Sequence, residues 1–211
     1  MQILWFDELE STQTYLKNKL ASKELQAPVS VVANIQTAGL GSRGNSWIGL
    51  DGNLFFSFAI SRDNLPDDLA LESSSIYFSY LLKETLEDFG SKLWLKWPND
   101  FYMNNEKIGG TITYMKDNNL LCGIGLNLKK SPEGFACLDI ELDKKDILDK
   151  FFKKIEKKLL WKLIFSKFEV EFGKSKNHHT HVENNKISLE YAELQNDGSL
   201  MINGERIYSL R

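Results

Sequence analysis

Cysteine is nearly absent from this sequence. The 211 residues include only Cys122 and Cys137, both in apolar surroundings. No disulfide framework can hold such a chain together, and a reducing, cytoplasmic setting is expected. Long apolar runs are also missing, and none approaches the ~18 residues that a helical membrane span needs. The opening MQILWFDELE has no basic segment followed by a long apolar one, so it does not read as a secretory leader. Charge of one sign is lacking too. The net charge of −3 excludes binding to nucleic acid through overall charge. Histidine is scarce, and all three, His178, His179 and His181, fall within four residues. Two histidines at close spacing can bind zinc, but no cysteine lies nearby and only Glu183 could add an acid. The stretch is therefore read as a polar linker.

What is present is a globular composition, 42% hydrophobic and 26% charged, long enough for one full domain and a small appendage. Residues 2–6 and 29–36 read as strands, with a helix between them that Ser11 or Thr12 caps. From Thr37 to Gly52 the chain is rich in Gly, Ser and Asn without periodicity, which predicts a long loop. A strand over 53–61 follows, then a helical pattern over 66–90 closed by Gly90. Four strands are expected over 92–97, 100–104, 108–115 and 119–128. Residues 144–172 read as helix, with Phe151, Ile155, Leu159 and Leu163 as its apolar stripe and a lysine-rich face that is either solvated or a docking surface for an acidic partner protein. Residues 174–185 read as linker and 186–211 as a few short strands. The expected class is α+β: a mixed, mainly antiparallel sheet with helices on one face, and a small β unit at the end. The division expected is 1–176 and 177–211.

Several stretches carry chemistry. Gly39, Gly41 and Gly44 spell GxGxxG within Gln36–Trp47. A dinucleotide site needs a helix after that motif, and a strand is expected here instead, so an oxidoreductase is disfavoured. Glycines still let backbone N–H groups approach an anion, and Arg43 adds a permanent phosphate donor. Trp47 could stack on a purine, or be a core residue beside an ordinary turn. Lys96-Trp97-Pro98-Asn99-Asp100 gathers polar groups around a turn-making proline. An acid there could hold Mg²⁺ or take a proton from an amine, or the stretch could be a surface turn. Lys107 precedes Gly109-Gly110, where an ammonium could polarise a carbonyl or neutralise a phosphate, or simply lie exposed. Gly123-Ile124-Gly125 strips side chains from one strand face, where a flat ligand could lie with Asn127 at the rim, or where the strand packs tightly against a helix.

Together and in this order, these stretches resemble one family, the biotin protein ligases. The matching residues are STQ at 11–13, QTAGLGSRGNSW at 36–47, KWPND at 96–100, KIGG at 107–110 and GIGLN at 123–127. The resemblance covers about residues 3–130. The C-terminal Asp197-Gly198-Ser199-Leu200 looks like a turn of the family's small SH3-like end domain. It implies the biotin–lipoate ligase fold, related to class II synthetases. It also implies that biotin and ATP, with Mg²⁺, form biotinyl-5′-AMP, and that biotin passes to a lysine of a biotin carboxyl carrier protein. Carried over by motif, Ser11, Thr12, Gln13 and Gln36 would touch biotin. Gly39, Leu40, Gly41 and Ser42, with Gly110, would wrap it and the adenylate. Arg43, Gly44, Trp47, Asn99 and Asn127 would hold the nucleotide, with Mg²⁺ near Asn99 and Asp100. Lys107 would sit where charge builds up, and Asp100 would meet the acceptor lysine. The implied partner is the carrier domain of a biotin-dependent carboxylase, with no nucleic acid, no membrane and a monomer or weak homodimer. The rival readings are a lipoate or octanoate ligase or transferase, and an inactive biotin- or nucleotide-binding module. KWPND and Trp47 favour biotin over the first. Arg43, Lys107 and Asp100 speak against the second.

The chain departs from the family pattern in places. Many members carry arginine at the positions of Leu40, Ser42 and Asn45, and Gln13 stands where asparagine is usual. The motifs begin at residue 3, which leaves no room ahead of them for a DNA-binding domain, so ligase activity without operator binding is expected. With Arg43 alone remaining of a cationic cluster, the adenylate should leave more readily. Ser42→Arg should slow its release; equal off-rates before and after the substitution would sink this idea.

Overall fold

The computed structural model describes residues 1–182 and 185–208; the side chain of Arg43 also lies outside the description, as does Glu183. In chain order the elements are β1 (Gln2–Leu9), α1 (Thr12–Ala21), β2 (Val29–Leu40), β3 (Ser46–Gly49), β4 (Leu54–Ser61) and α2 (Ser74–Glu87). Then come β5 (Trp94–Lys96), β6 (Asp100–Met103), β7 (Glu106–Lys116), β8 (Asn119–Leu126), α3 (Lys144–Glu156) and α4 (Trp161–Phe172). Five short strands complete the chain: β9 (His179–Val182), β10 (Asn185–Ser188), β11 (Glu193–Leu194), β12 (Leu200–Ile202) and β13 (Glu205–Ile207). The main sheet has eight strands in the order β1-β2-β4-β8-β7-β6-β5, with β3 folded back on β2. Only β1 and β2 pair in parallel, so the sheet is mixed and mainly antiparallel.

β4 explains the layering. Its sequence is almost continuously apolar because both of its faces are buried. Phe56 and Phe58 point to one side, where they meet Phe78 of α2 and Phe151 and Phe152 of α3. Ala59 points to the other side, where it packs with Val29, Val31 and Leu121 around the fully buried Leu16 of α1. Helices therefore cover both faces. α2, α3 and α4 follow the expectation of one helical face, but α1 takes the opposite side. Each fully buried phenylalanine or leucine contributes about 1.5–3 kcal/mol.

The structure corrects several expected boundaries. Residues 37–52 are not one long loop: β2 runs on to Leu40, a 3-10 turn spans Ser42–Gly44, and β3 returns along β2. Backbone pairing, invisible to side-chain periodicity, makes this hairpin. The α-helix expected over 66–90 begins only at Ser74. Pro66 has no N–H to donate, and Asp68 caps a different helix, accepting from the N–H groups of Trp161 and Lys162 at 2.8 and 3.1 Å. The helix expected over 144–172 is two. Lys158 adopts φ 48° and ends α3, so the phase restarts and Leu163 is 49% exposed. α4 buries Trp161, Ile164, Phe165, Phe168 and Phe172 instead. Lysines of the basic face partly tie helices together, with Lys154 3.0 Å from Asp88 and Lys167 2.6 Å from Glu84; such exposed pairs add little stability.

The stretch expected as a linker over 174–185 contains a 3-10 turn, Gly173–Asn177, and strand β9. Its Ser175 is fully buried because its Oγ accepts from the N–H of Trp97 at 3.0 Å. The C-terminal strands rest on the main body, and Leu189, Ala192, Leu200 and Ile202 join its core. Three successive carbonyls anchor them: Asn196 accepts from Trp161 Nε1 at 2.8 Å, Asp197 from Ser73 Oγ at 2.7 Å, and Gly198 from Trp97 Nε1 at 2.7 Å. Among the described residues no helix is long and apolar enough to cross a membrane.

Candidate functional site

Strand register lines up the residues of the site. One row across the α1 face reads Val31, Ser57, Gly123, Ile112. The next reads Ala33, Phe55, Gly125, Gly110, Asp100, Lys96. Small residues at the centre of both rows leave a cavity of about 380 Å³ over β7 and β8. A side chain at Gly123 or Gly125 would have to push a neighbour aside. A Cβ on Gly123 would stand 2.6 Å from Gln13 Oε1, and one on Gly125 would stand 2.8 Å from Trp47 Nε1. The glycine face expected from Gly123-Ile124-Gly125 is thus real, and Gln13 and Trp47 lie on it.

Lys107 reaches this face through a β-bulge. Along β7, residues of even number point into the cavity at Gly110 and Ile112, so strict alternation would send Lys107 to the other side. Pairing shifts between Phe101↔Gly109 and Tyr102↔Lys107, which places Ile108 as an extra residue. A bulge re-aims the side chain next to it. Ile108 goes into the core, and the Lys107 ammonium comes round to donate to Asp100 Oδ1 at 2.6 Å.

The far end of the cavity is a hydroxyl and amide network. Ser11 Oγ caps α1 by accepting from the N–H of Thr14 at 3.3 Å. Gln36 Oε1 accepts from the Thr12 N–H at 2.8 Å and from Thr12 Oγ1 at 3.0 Å. Thr12 Oγ1 also lies 2.8 Å from Ser57 Oγ. Buried polar atoms normally have partners, yet both amide atoms of Gln13, Trp47 Nε1 and Asn99 Oδ1 have none. All three side chains line the cavity.

Charge sits at the opposite end. Asp100 lies between two ammonium groups, Lys107 and, at 3.7 Å, Lys96. Lys96 Nζ donates to Tyr102 Oη at 3.2 Å. Burial, helped by the Asp100 carboxylate, raises the Tyr102 phenol above its ordinary pKa, while Lys107 pulls it down. His178 packs on Trp94 and Tyr102. Burial, with Lys96 and His179 beside it, holds its pKa below the usual imidazole value. His178 is therefore an aromatic neighbour of Tyr102, while His179 and His181 lie exposed on β9. No group of three or more His, Cys, Asp or Glu gathers for a metal among the described residues.

The structure brings together Ser11, Thr12, Gln13, Gln36, Leu40, Gly41, Ser42, Trp47, Asn99, Asp100, Lys107 and Gly110 around this cavity. Gly39 and Gly44 are outside its lining, and the Arg43 side chain lies outside the description. Asn127 is also outside, with its Nδ2 donating to Ala136 O at 3.2 Å. Sequence reasoning missed Ser57 and Phe135, which also line the cavity. Ser57 had one signal, a hydroxyl in the middle of an apolar strand. Phe135 had none.

A side-chain-poor sheet face with a lysine–aspartate pair at one end and an amide network at the other defines a site for a small molecule carrying an anionic group. Residues 5–130 match the model of the Biotin/lipoate A/B protein ligase family, and the chain belongs to that family. A crystal structure of Helicobacter pylori biotin acetyl coenzyme A carboxylase synthetase with bound biotinylated ATP is 41% identical, with a TM-score of 0.94 over 98% of this chain and 99% of that one. Biotin–protein ligase 1, chloroplastic, of Arabidopsis thaliana is 30% identical over 74% of this chain and 46% of its own length. The bifunctional ligase/repressor BirA of Bacillus subtilis is 28% identical over 63% of this chain and 42% of its own. The chain thus spans less than half the length of these two relatives.

Gly125→Ala should fold, because the Trp47 indole can move aside, but should weaken binding of any ligand lying on β8. Overpacking of about 1–3 kcal/mol corresponds to roughly a five- to hundredfold loss of affinity. Calorimetry on the purified variant reads this, and an unchanged affinity would place the ligand elsewhere.

Proposed function

We propose that the chain is an ATP-dependent biotin–protein ligase. The observation that carries this reading is the Lys107–Asp100 pair at the edge of a glycine floor, facing the Thr12–Gln36–Ser57 network across one cavity. The Helicobacter pylori enzyme, solved with biotinylated ATP, supports it across nearly the whole chain. In the first step a biotin carboxylate oxygen attacks the α-phosphorus of ATP and pyrophosphate leaves. Lys107 supplies positive charge where the carboxylate and phosphate meet. In the second step a neutral lysine amine attacks the acyl carbon and AMP leaves with the bridging oxygen. Asp100 takes the proton that the acceptor ammonium must lose, and the second proton, lost from nitrogen as the amide forms, leaves with the AMP phosphate or to water. No covalent protein nucleophile is required, because placement and charge do the work. Mg²⁺ would come with the nucleotide, and Asn99, whose Oδ1 has no hydrogen-bond partner, and Asp100 would hold it and offset phosphate charge.

The amide network favours biotin over lipoate. A cyclic urea both donates and accepts, and the buried Gln13 amide, with neither of its polar atoms partnered, offers one of each. A dithiolane does neither and would leave buried polar atoms unpaired, which discriminates strongly. The acceptor proposed is a carrier domain of a biotin-dependent carboxylase, met in the cytoplasm by a monomer or weak homodimer. Residues 1–176 carry the chemistry in this reading, and residues 177–211 form a small β unit that braces it.

Acid-dependent pyrophosphate exchange with ATP and Mg²⁺ tests the proposal. Exchange is expected with biotin. Exchange with lipoate alone would overturn the substrate, and exchange with neither would make the chain a binding module. Lys107→Ala should keep its circular dichroism and lose roughly 10²–10³-fold in exchange rate.

A further inference from the structure

Asn53 lies just before β4, outside the cavity and fully buried. Its Oδ1 accepts three consecutive backbone N–H groups, from Leu128, Lys129 and Lys130, at 3.0, 3.1 and 3.2 Å. Its Nδ2 donates to Lys130 O at 2.7 Å and to Asn127 Oδ1 at 3.4 Å. Successive N–H groups converging on one point form a concavity that in other proteins receives an anion. Here an amide oxygen of the chain itself fills it.

The clamp holds the segment that leads from β8 back across β7. Asn127 N–H donates to Ile108 O at 2.7 Å, and Ala136 N–H donates to Lys107 O at 3.1 Å. Asn127 ties the two together, with its Nδ2 on Ala136 O and its own carbonyl accepting from the Leu138 N–H at 2.9 Å. The carbonyls thus engaged, Lys107 and Ile108, are those of the bulge. A bulge interrupts the ladder, so its backbone groups need partners from elsewhere. Asn127 and Ala136 are those partners. Phe135, next to Ala136, lines the cavity with its ring edge-on to Trp47 at 6.1 Å.

We propose that Asn53 is a positioning residue for Lys107. It touches no ligand and acts through Asn127 and Ala136, holding the bulge that aims the ammonium into the cavity. The kinetic side of this inference rests on the ligase reading; its structural side does not.

Three variants test it. Asn53→Ala removes all five bonds. Asn53→Asp keeps the acceptor for the three N–H groups and loses both donations. Ala136→Pro removes the Ala136 N–H that donates to Lys107 O, from the other end of the path. In each, the turnover of biotin-dependent pyrophosphate exchange should fall, by at least about tenfold in Asn53→Ala and less in Asn53→Asp. Biotin affinity by calorimetry should hold within about twofold, because the amide network hangs on α1, β2 and β4; a general loss of structure would lower both together. Hydrogen exchange of the free proteins should quicken at the Asn127 and Ala136 amides in the Asn53 variants, with α1 unchanged. Wild-type turnover in Ala136→Pro overturns the inference, as does a biotin affinity that falls in step with turnover, or unaltered exchange at Asn127 and Ala136. Should Asn53→Ala fail to fold, the other two variants decide. Should the wild type itself show no exchange with biotin, the ligase reading fails and hydrogen exchange alone decides the clamp.

Discussion

One extra residue in β7 sets the geometry on which the site depends. Without the shift at Ile108, the period of two would carry Lys107 to the helical face, among Phe101 and Leu126. An ammonium buried there would be costly. With the shift, Ile108 fills the core and the charge emerges beside Asp100. Packing and electrostatics therefore select the same local backbone. The apolar residue must be inside and the cation must be out, and a bulge is the smallest change that satisfies both.

The floor beside that pair is a second constraint. Gly123 and Gly125 leave room that Gln13 and Trp47 occupy. Yet both amide atoms of Gln13, and the indole N–H of Trp47, find no partner there. The two side chains are held by shape and not by hydrogen bonds. A ligand with donors and acceptors gains twice by entering. It covers the glycine face, and it gives these atoms the partners they lack. The Lys107–Asp100 pair behaves differently. Asp100 is shared between Lys107 and Lys96, which leaves one net positive charge, but an arriving anion must still compete with Asp100 for Lys107. A ligand reaching Gln13 meets unfilled bonding capacity, while an anionic group at Lys107 must exchange one ion pair for another.

Much of this was legible in the sequence because the site consists of short contiguous motifs. Residues 11–13, 96–100 and 107–110 lie at or near element boundaries, and each stretch sends side chains or backbone to the cavity: Ser11, Thr12 and Gln13, then Asn99 and Asp100, then Lys107 and Gly110. The glycine face was readable from alternation along one strand. What resisted reading depends on pairing between distant strands. The hairpin over Gln36–Gly49 is held by backbone bonds, and its glycines mimic a loop. Ser57 becomes part of the site only because register sets it beside Gly123 and near Thr12. The bulge has no signature at all, since KIGG gives no hint that Lys107 and Gly110 share a face. Asn127 shows the converse. Its motif matches the family, but both ends of its amide are engaged within the chain, with Asn53 and with Ala136. The helix break at Lys158 was hidden because a lysine there looks like one more member of a solvated face.

Rigidity reaches the charged end from far along the chain. Trp97 immediately precedes Pro98, Asn99 and Asp100, and it is completely buried. Its backbone N–H is bound by Ser175 and its indole N–H by Gly198. Gly198 sits at φ 79°, where a side chain would be strained, and a Cβ there would stand 2.6 Å from Ile76 Cδ1. The C-terminal turn is thus seated by its own carbonyls and by the absence of a side chain. Nothing in it touches the cavity, yet it fixes the residue from which Asn99 and Asp100 project. Preorganised charge acts only when the groups carrying it cannot relax away from the reacting atoms. On that argument the C-terminal turn supports the site from outside it, because it anchors the residue that leads into Asn99 and Asp100.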